Sequence, residues 1–134
     1  MKLAALAFTT LLLAPAAANA KDRCTDATDQ ATLNQCADTS YKQSDKKLNA
    51  LYAQIEKRLG SDKDTKALLI QAQRNWIKFR DTECDFQTSA VGGSMLPMLL
   101  SMCMDDLTKA RIRNFDQYLH CQEGDTSCPV PPSN

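Results

Sequence analysis

Six cysteines are the residues of this 134-residue chain whose spacing most clearly predicts chemistry. Successive cysteines are separated by 12, 48, 19, 18 and 7 positions, so no Cys-x-x-Cys pair occurs, and only one histidine accompanies them. Zinc sites and thioredoxin-like redox centres both need closely spaced ligands or thiols. The cysteines are therefore predicted to form structural disulfides, and no metal or other cofactor is expected.

Helix geometry narrows the fifteen pairings that six cysteines allow. Cys84 and Cys103 flank a Gly92-Gly93 turn, so two antiparallel helices would bring them together. The chain can fold back between the first two cysteines, which leaves the last two as a small terminal loop. The predicted pairs are Cys24 with Cys36, Cys84 with Cys103, and Cys121 with Cys128.

Carboxylates are the next groups that could do chemistry. Asp81 with Glu83, or Asp105 with Asp106, could be an acid/base pair, since glycoside hydrolysis needs two carboxylates about 5 to 9.5 Å apart. Adjacent residues on a helix point about 100° apart, and no convergent site is readable, so ion pairs and a solvated face are favoured. The lone His120 lies at a predicted helix end, where the dipole favours a cation. The chain is not expected to be an enzyme; an envelope hydrolase using Glu83 with Asp105 or Asp106 is a weak alternative.

Methionines cluster near residue 100, where thioether sulfurs could bind Cu(I) in an oxidising compartment. Methionine is also the usual filler of irregular core gaps, and this role is favoured over copper binding. Whether these side chains face the core or an interface stays open. The residues are Met95, Met98, Met102 and Met104.

Gln73, Trp76 and Arg80 follow one another at helical spacing along a stripe that ends at Cys84. Tryptophan and arginine are frequent in binding hot spots. The favoured interpretation is a packed aromatic ring whose neighbouring guanidinium is held by a carboxylate. The partner candidates are Asp45, Asp81 and Asp106.

These residues need rigid elements to position them, and glycine and proline show where the elements end. Between residues 21 and 128 the glycines are Gly60, Gly92, Gly93 and Gly124, and the single proline is Pro97. Valine is scarce and Ala, Leu, Lys and Gln are common, which favours helix over strand. Helices are predicted over about 32–59, from a Ser61 cap to about Thr88, and over about 95–120 with Ser94 as a cap.

Short connections between long amphipathic helices predict antiparallel neighbours. The expected fold is all-α, an up-down-up bundle of three helices stapled by disulfides. The second helix is expected to bury Leu69, Ala72, Trp76 and Phe79, with Ile70 and Ile77 as further candidates.

The amino terminus has the pattern of a secretory signal peptide: Lys2, an apolar run, and Ala18-Asn19-Ala20. Residues 1–20 are therefore predicted to be removed, leaving a helical domain at 21–121 and an irregular proline-rich tail at 122–134. The first cysteine does not directly follow small residues, which disfavours a lipid anchor. The expected location is periplasmic or secreted, where disulfides persist.

Charge excludes some partners. The chain has 16 Lys and Arg against 16 Asp and Glu, and loss of Lys2 leaves a mature net charge near −1. Nucleic-acid binders and proteins that bind anionic membranes usually carry a strong positive charge. Neither nucleic acid nor a membrane is therefore expected as a partner, and no later segment is long enough to span a bilayer.

Several motifs together resemble the LprI-type lysozyme-inhibitor domain, a family of small secreted bacterial helical proteins. The resemblance covers nearly all of residues 24–119. It rests on the spacing of Cys24 and Cys36, on the Gly92-Gly93-Ser94 turn, and on one residue motif in each of the three predicted helices. It implies a helical fold and supports the first two disulfides. The resemblance also implies that ten motif residues have structural or binding roles. They are Asp45, Asn49, Tyr52, Gln73, Trp76, Arg80, Asp81, Leu107, Thr108 and Arg111.

The function that the resemblance implies is binding and inhibition of a lysozyme. The candidate binding loop is Gly92, Gly93 and Ser94, clamped by Cys84 and Cys103, with Lys63 and Lys66 as a cationic alternative at the other end of the bundle. A periplasmic envelope-stress or interaction protein with a different envelope or host partner is the main alternative. The oligomeric state stays open.

Peptide mapping under non-reducing conditions tests the cysteine prediction. Proteolysis of the purified chain should release peptide pairs joined by the three sequential disulfides, because these pairings agree with the predicted helix hairpin and the two short loops. A Cys36 to Cys121 crosslink would contradict the pairing.

Overall fold

The computed structural model describes residues 24–132, and these residues contain three long helices and no strand. Helix α1 spans Gln30–Leu59, α2 spans Lys63–Gln87 and α3 spans Leu96–Leu119, with a short 3-10 turn at Gly93–Met95 before α3. The all-α prediction is confirmed. The predicted signal peptide lies outside the described residues, and the predicted domain boundaries stay predictions.

Short polar side chains begin the first two helices. The carboxylate of Asp29 accepts a hydrogen bond from the Thr32 amide at 2.9 Å, and that of Asp62 accepts one from the Thr65 amide at 3.0 Å. The prediction of Ser61 as the cap of α2 was wrong by one residue, because Asp62 brings both an acceptor and a negative charge to the positive helix end. The hydrogen bonds from Thr65 hold the pKa of Asp62 below its ordinary value.

Glycine ends α1: Gly60 has φ of 56°, a conformation that side-chain-bearing residues rarely adopt. The α3 cap prediction was wrong, since Ser94 lies inside the 3-10 turn and no side chain caps α3. Amide groups in the first turn of a helix have no acceptor within the helix. Pro97 lies in the first turn of α3 and has no amide hydrogen, so it leaves one fewer donor without a partner.

The helix directions follow from contacts that join distant parts of the chain. The side-chain amide of Asn34 donates to the Ser94 carbonyl at 3.0 Å, and Arg58 donates to the Leu119 carbonyl at 2.7 Å. The start of α1 therefore lies near the start of α3, and the end of α1 lies near the end of α3, so these two helices are parallel. Helix α2 connects the end of α1 to the start of α3 and runs in the opposite direction. This is the expected up-down-up order.

Helices α1 and α3 supply the apolar core and pack along much of their length, whereas α2 contacts them at fewer places. The tail also contributes, because Val130 is only 4% exposed and packs against the core. Tyr52, Leu69, Trp76 and Tyr118 pack around it. The buried apolar residues are Leu48, Leu51, Ile55 and Leu59 of α1, Ile112, Phe115 and Leu119 of α3, and Val130.

The expected burial of α2 was partly wrong. Leu69 and Trp76 are partly buried against the core, but Ala72 is exposed and the Phe79 side chain is 51% exposed. The buried residues of α2 are Gln73, Arg80 and the disulfide-bonded Cys84, so polar side chains take two of the three buried positions of this helix. Phe79 lies on a different face of the helix.

The three disulfides have the predicted pairing. Their Cα–Cα distances are 5.7 Å for Cys24 to Cys36, 5.6 Å for Cys84 to Cys103 and 6.0 Å for Cys121 to Cys128. These values fall within the ordinary range for a disulfide. The second disulfide joins α2 to α3 across the Gly92-Gly93 turn.

A buried carboxylate links α1 to α3 beside the apolar core. Asp105 accepts hydrogen bonds from Ser44 at 2.5 Å and from Ser40 at 2.7 Å, and it forms an ion pair with Lys109 at 2.7 Å. Burial by itself raises the pKa of Asp105, but the hydrogen bonds from Lys109, Ser44 and Ser40 together outweigh it and hold the pKa below its ordinary value. The folded chain therefore favours the ionised carboxylate.

Asp105→Asn should lower the free energy of unfolding by about 1–3 kcal/mol at neutral pH, because the amide cannot satisfy all three donors. A lowered folded-state pKa stabilises the fold above the ordinary carboxyl pKa, and this contribution is lost as pH falls through the folded value. The difference between parent and variant should thus shrink between about pH 7 and about pH 3 in urea titrations. The exposed neighbour supplies a control: Asp106→Asn should change the free energy of unfolding little at either pH. If Asp105→Asn lowered the free energy of unfolding equally at both pH values, the structural role of the ionised Asp105 carboxylate would be contradicted.

Candidate functional site

The guanidinium of Arg80 is the centre of the contacts between α2 and α1. Arg80 is only 7% exposed and lies over the rings of Tyr41 at 5.4 Å and Trp76 at 5.3 Å. It forms ion pairs with Asp81 at 2.8 Å and Asp45 at 3.5 Å. The predicted arrangement of a packed ring and a guanidinium held by carboxylates is thus present, with Asp45 and Asp81 as the partners and Asp106 elsewhere.

A second guanidinium continues the stack toward the core. Arg111 lies over the rings of Phe115 at 4.6 Å and Trp76 at 5.9 Å, and its Nε donates to the Gln73 side chain at 3.2 Å. Burial lowers the pKa of Arg111, and Tyr118 partly opposes this effect. Rings and guanidinium groups therefore alternate across the bundle. In order they are Tyr41, Arg80, Trp76, Arg111 and Phe115, which we call the arginine-aromatic stack.

Sequence reasoning missed two members of the arginine-aromatic stack, Tyr41 and Phe115. Tyr41 could have been found, because it precedes Asp45 by one helical turn and therefore shares its face. No local signal in the sequence indicates that Phe115, a core residue, also contacts Arg111. Since the guanidinium groups are occupied by rings and carboxylates, the stack holds helices together and leaves little surface for a ligand.

Other motif residues surround the arginine-aromatic stack. Asn49 is exposed and donates to Asp45 at 3.0 Å, and the Tyr52 ring packs against Phe115 at a centroid distance of 6.2 Å. Leu107 is half-buried. Thr108 is fully buried, and its hydroxyl has no hydrogen-bond partner among residues 24–132. A binding role for these residues stays a prediction.

The predicted binding loop is an exposed projection with fixed ends. Gly92, Gly93 and Ser94 are all exposed. Thr88 is buried and donates to the Cys84 carbonyl at 2.7 Å, and the amide of Val91 donates to the Thr88 carbonyl at 2.9 Å. With the Cys84 to Cys103 disulfide behind it and Asn34 bonded to Ser94, the loop is tied to all three helices.

Apolar side chains and negative charge surround this loop. Phe86 on α2 is 75% exposed, and Met95 next to the loop is also exposed. Residues 81–108 contain no lysine or arginine. Of the five acidic residues in this range, Asp81 and Asp105 are paired with Arg80 and Lys109, so the negative charge comes from Glu83, Asp85 and Asp106. The loop end of the bundle therefore combines exposed apolar groups with a negative potential, which favours a basic partner surface.

The cationic alternative at the opposite end is only partly available. Lys66 donates to the Gly60 carbonyl, which ties its ammonium group to the α1–α2 turn. Lys63 is exposed in the first turn of α2, close to Asp62 and Asp64 in sequence. Asp62 and Asp64 therefore offset part of the positive charge at this end, where Lys57 and Arg58 lie in the last turn of α1.

Three of the four carboxylates considered for catalysis take part in structural interactions, and the fourth, Asp106, is exposed. Asp105 is buried among its serine and lysine partners, Asp81 pairs with Arg80, and Glu83 accepts from the Gln87 side chain at 2.9 Å. Within residues 24–132 no group of three or more His, Cys, Asp or Glu side chains is arranged to hold a metal ion.

Of the methionines, Met95 and Met102 are exposed, while Met98 and Met104 are half-buried.

The fold and these contacts define a small, disulfide-stapled α-helical domain, and the described part of the chain has no helix long and apolar enough to cross a membrane. The chain belongs to the family described as lysozyme inhibitor LprI, which matches residues 21–115. It is also 36% identical over 138 aligned residues to an uncharacterized protein of Rhizobium meliloti (strain 1021), covering 92% of this chain and 99% of that protein. No solved structure matches the chain. The family resemblance in the motifs is confirmed.

Replacing the central guanidinium tests whether the arginine-aromatic stack holds α2 in place. Arg80→Met keeps the side-chain length but removes the ion pairs and the two ring contacts, and should lower the free energy of unfolding by about 2–4 kcal/mol. Urea denaturation with intact disulfides measures the loss. Arg113→Met removes an exposed arginine from α3 and should change it by no more than about 0.5 kcal/mol; similar values for both variants would contradict the role of Arg80.

Proposed function

We propose that this protein is a periplasmic or secreted binding protein that inhibits a lysozyme and so protects the peptidoglycan of the producing cell. Membership of the lysozyme inhibitor LprI family is the observation that carries the proposal. Three disulfides support a location outside the cytoplasm, since such bonds persist in oxidising compartments. In this proposal the chain acts by binding and performs no chemistry itself.

The loop at residues 89–95 is the proposed contact with lysozyme. An inhibitor must occupy or cover the substrate cleft, and a rigid projection loses little conformational entropy when it binds. The fixed ends of this loop and its exposed Gly92, Gly93 and Ser94 fit that requirement. Met95, which is 48% exposed beside the loop, supplies an apolar group that can anchor the contact.

Charge determines which part of the enzyme the loop would meet. Lysozyme hydrolyses glycosidic bonds with a pair of carboxylates in its cleft, and the acidic loop end would be repelled by them. An enzyme that acts on anionic cell walls gains from a basic surface around the cleft, because opposite charges speed the encounter. The loop end is therefore proposed to bind the basic rim and to block entry of the polysaccharide.

A turbidity assay tests this function. Purified protein with intact disulfides should slow the clearing of a bacterial cell-wall suspension by lysozyme, and the effect should increase with its concentration. Absence of slowing at excess protein, for several lysozyme types, would contradict the function and favour a different envelope or host partner. A pull-down from periplasm and host secretions would then look for that partner.

A variant of the loop tests the proposed contact. Gly92→Arg adds a bulky cation where the backbone φ is −124° and no atom lies within 4 Å of an added Cβ, so the fold should tolerate it. Inhibition should weaken about tenfold or more, equivalent to roughly 1.4 kcal/mol of binding free energy. Ala50→Arg adds the same side chain at an exposed position of α1 and is the control. Equal inhibition by the two variants would place the contact elsewhere.

A further inference from the structure

The outer face of α2 carries a continuous stripe of exposed residues that no other described helix covers. Leu68, Phe79 and Phe86 are 65%, 51% and 75% exposed. Together with three smaller exposed residues they recur at three- and four-residue steps, which places them on one face of a helix. The complete α2 stripe is Leu68, Ala72, Asn75, Phe79, Thr82 and Phe86.

The α2 stripe is separate from the face that holds α2 in the bundle. Gln73, Arg80 and Cys84 are buried, and they lie about a third of a turn around the helix from Phe79 and Phe86. A stripe with two phenylalanines and a leucine is costly to leave in water, since each aromatic ring can bury about 150–250 Å². Apolar positions repeated in this way are typical of a seam between two helices.

Two exposed charges along one edge of the α2 stripe indicate which helix fits it. Lys78 and Asp85 are seven residues apart, two helical turns, and thus lie on the same side of Phe79 and Phe86. Neither side chain forms an ion pair within residues 24–132. When this helix is laid antiparallel on a copy of itself, Lys78 of each copy lies beside Asp85 of the other.

We infer that two copies of this chain associate through the α2 stripe as an antiparallel helix pair with a two-fold axis. Phe79 packs opposite Thr82 of the second copy, and Phe86 packs opposite Asn75. Large and small side chains then alternate across the interface, which allows the rings to interdigitate. The same register forms two Lys78 to Asp85 ion pairs, so shape and charge agree.

A parallel pair of α2 helices would pack the side chains of the α2 stripe less well. It places Phe79 against its own counterpart, so the rings cannot alternate with smaller side chains, and it places Lys78 near Glu83 of the second copy. Asp85 then has no cation to meet. The antiparallel arrangement is therefore favoured by the packing of large against small side chains, which parallel pairing lacks.

The expected interface is small. In the antiparallel register, residues 74–87 of the two helices overlap over about 21 Å, so the interface uses the part of the α2 stripe from Asn75 to Phe86 and leaves Leu68 and Ala72 outside it. The exposed parts of four phenylalanine rings supply about 500 Å², roughly a third of the ~1,600 Å² buried in a stable interface. Association should therefore be weak and reversible.

Analytical ultracentrifugation of the purified, disulfide-intact chain tests the pairing. The average mass should rise from monomer to dimer as the concentration passes through the micromolar range. Phe79→Ser should weaken association at least tenfold without unfolding the chain, because this side chain is half exposed in the monomer. Ile77→Ser, which removes an exposed apolar side chain from another face of α2, should have no effect.

Charge exchange tests the direction of pairing. Lys78→Glu and Asp85→Lys should each weaken the dimer about tenfold, and the double variant should restore it, because the two antiparallel ion pairs re-form with reversed polarity. In a parallel dimer the double variant would place the introduced carboxylate near Glu83 of the second copy and association would stay weak, which would overturn the antiparallel arrangement.

Two further results would overturn the pairing itself. One is a monomer at several hundred micromolar, and the other is a dimer that Phe79→Ser leaves unchanged. If the protein is a monomer and Phe79→Ser abolishes lysozyme inhibition, the α2 stripe would instead be a contact surface for lysozyme. The lysozyme assay and the mass measurement are independent, so failure of one proposal leaves the other standing.

Discussion

The position of α2 depends on the buried guanidinium of Arg80. The inward face of α2 offers Gln73, Arg80 and Cys84, so apolar burial by this helix is limited to Leu69 and Trp76. Arg80 compensates by contacting two rings and two carboxylates at once. Such contacts need defined distances and directions, whereas apolar packing alone would let the helix slide or rotate. They therefore determine which face of α2 is turned inward.

The orientation of α2 determines what the molecule presents to partners. At one end, α2 leads into the loop containing Gly92 and Gly93, and the Cys84 to Cys103 disulfide holds the two sides of that loop. Along its length, the same orientation turns Phe79 and Phe86 outward. The loop and the α2 stripe are thus both consequences of one packing arrangement, although they serve separate proposals.

Much of the fold was predictable because it depends on local interactions. Glycines marked the helix ends, and loop lengths restricted the disulfide partners before any tertiary contact was known. The cap of α2 was misassigned by one residue, because Ser61 and Asp62 are both good caps and only the observed Thr65 contact distinguishes them. The spacing of Gln73, Trp76 and Arg80 showed that they share a helix face, and the predicted packing of the Trp76 ring with a guanidinium held by carboxylates is observed.

The sequence by itself therefore determined three helices, their order and their disulfide staples, through helix periodicity, turn residues and the short distances along the chain. Only the tertiary structure decided that Phe79 is exposed, that Tyr41 and Phe115 enclose the arginines, and that Val130 closes part of the core. The physical reason is that amphipathic patterns show which residues share a face of a helix. Which of two apolar faces is buried depends on contacts with residues far away in the chain.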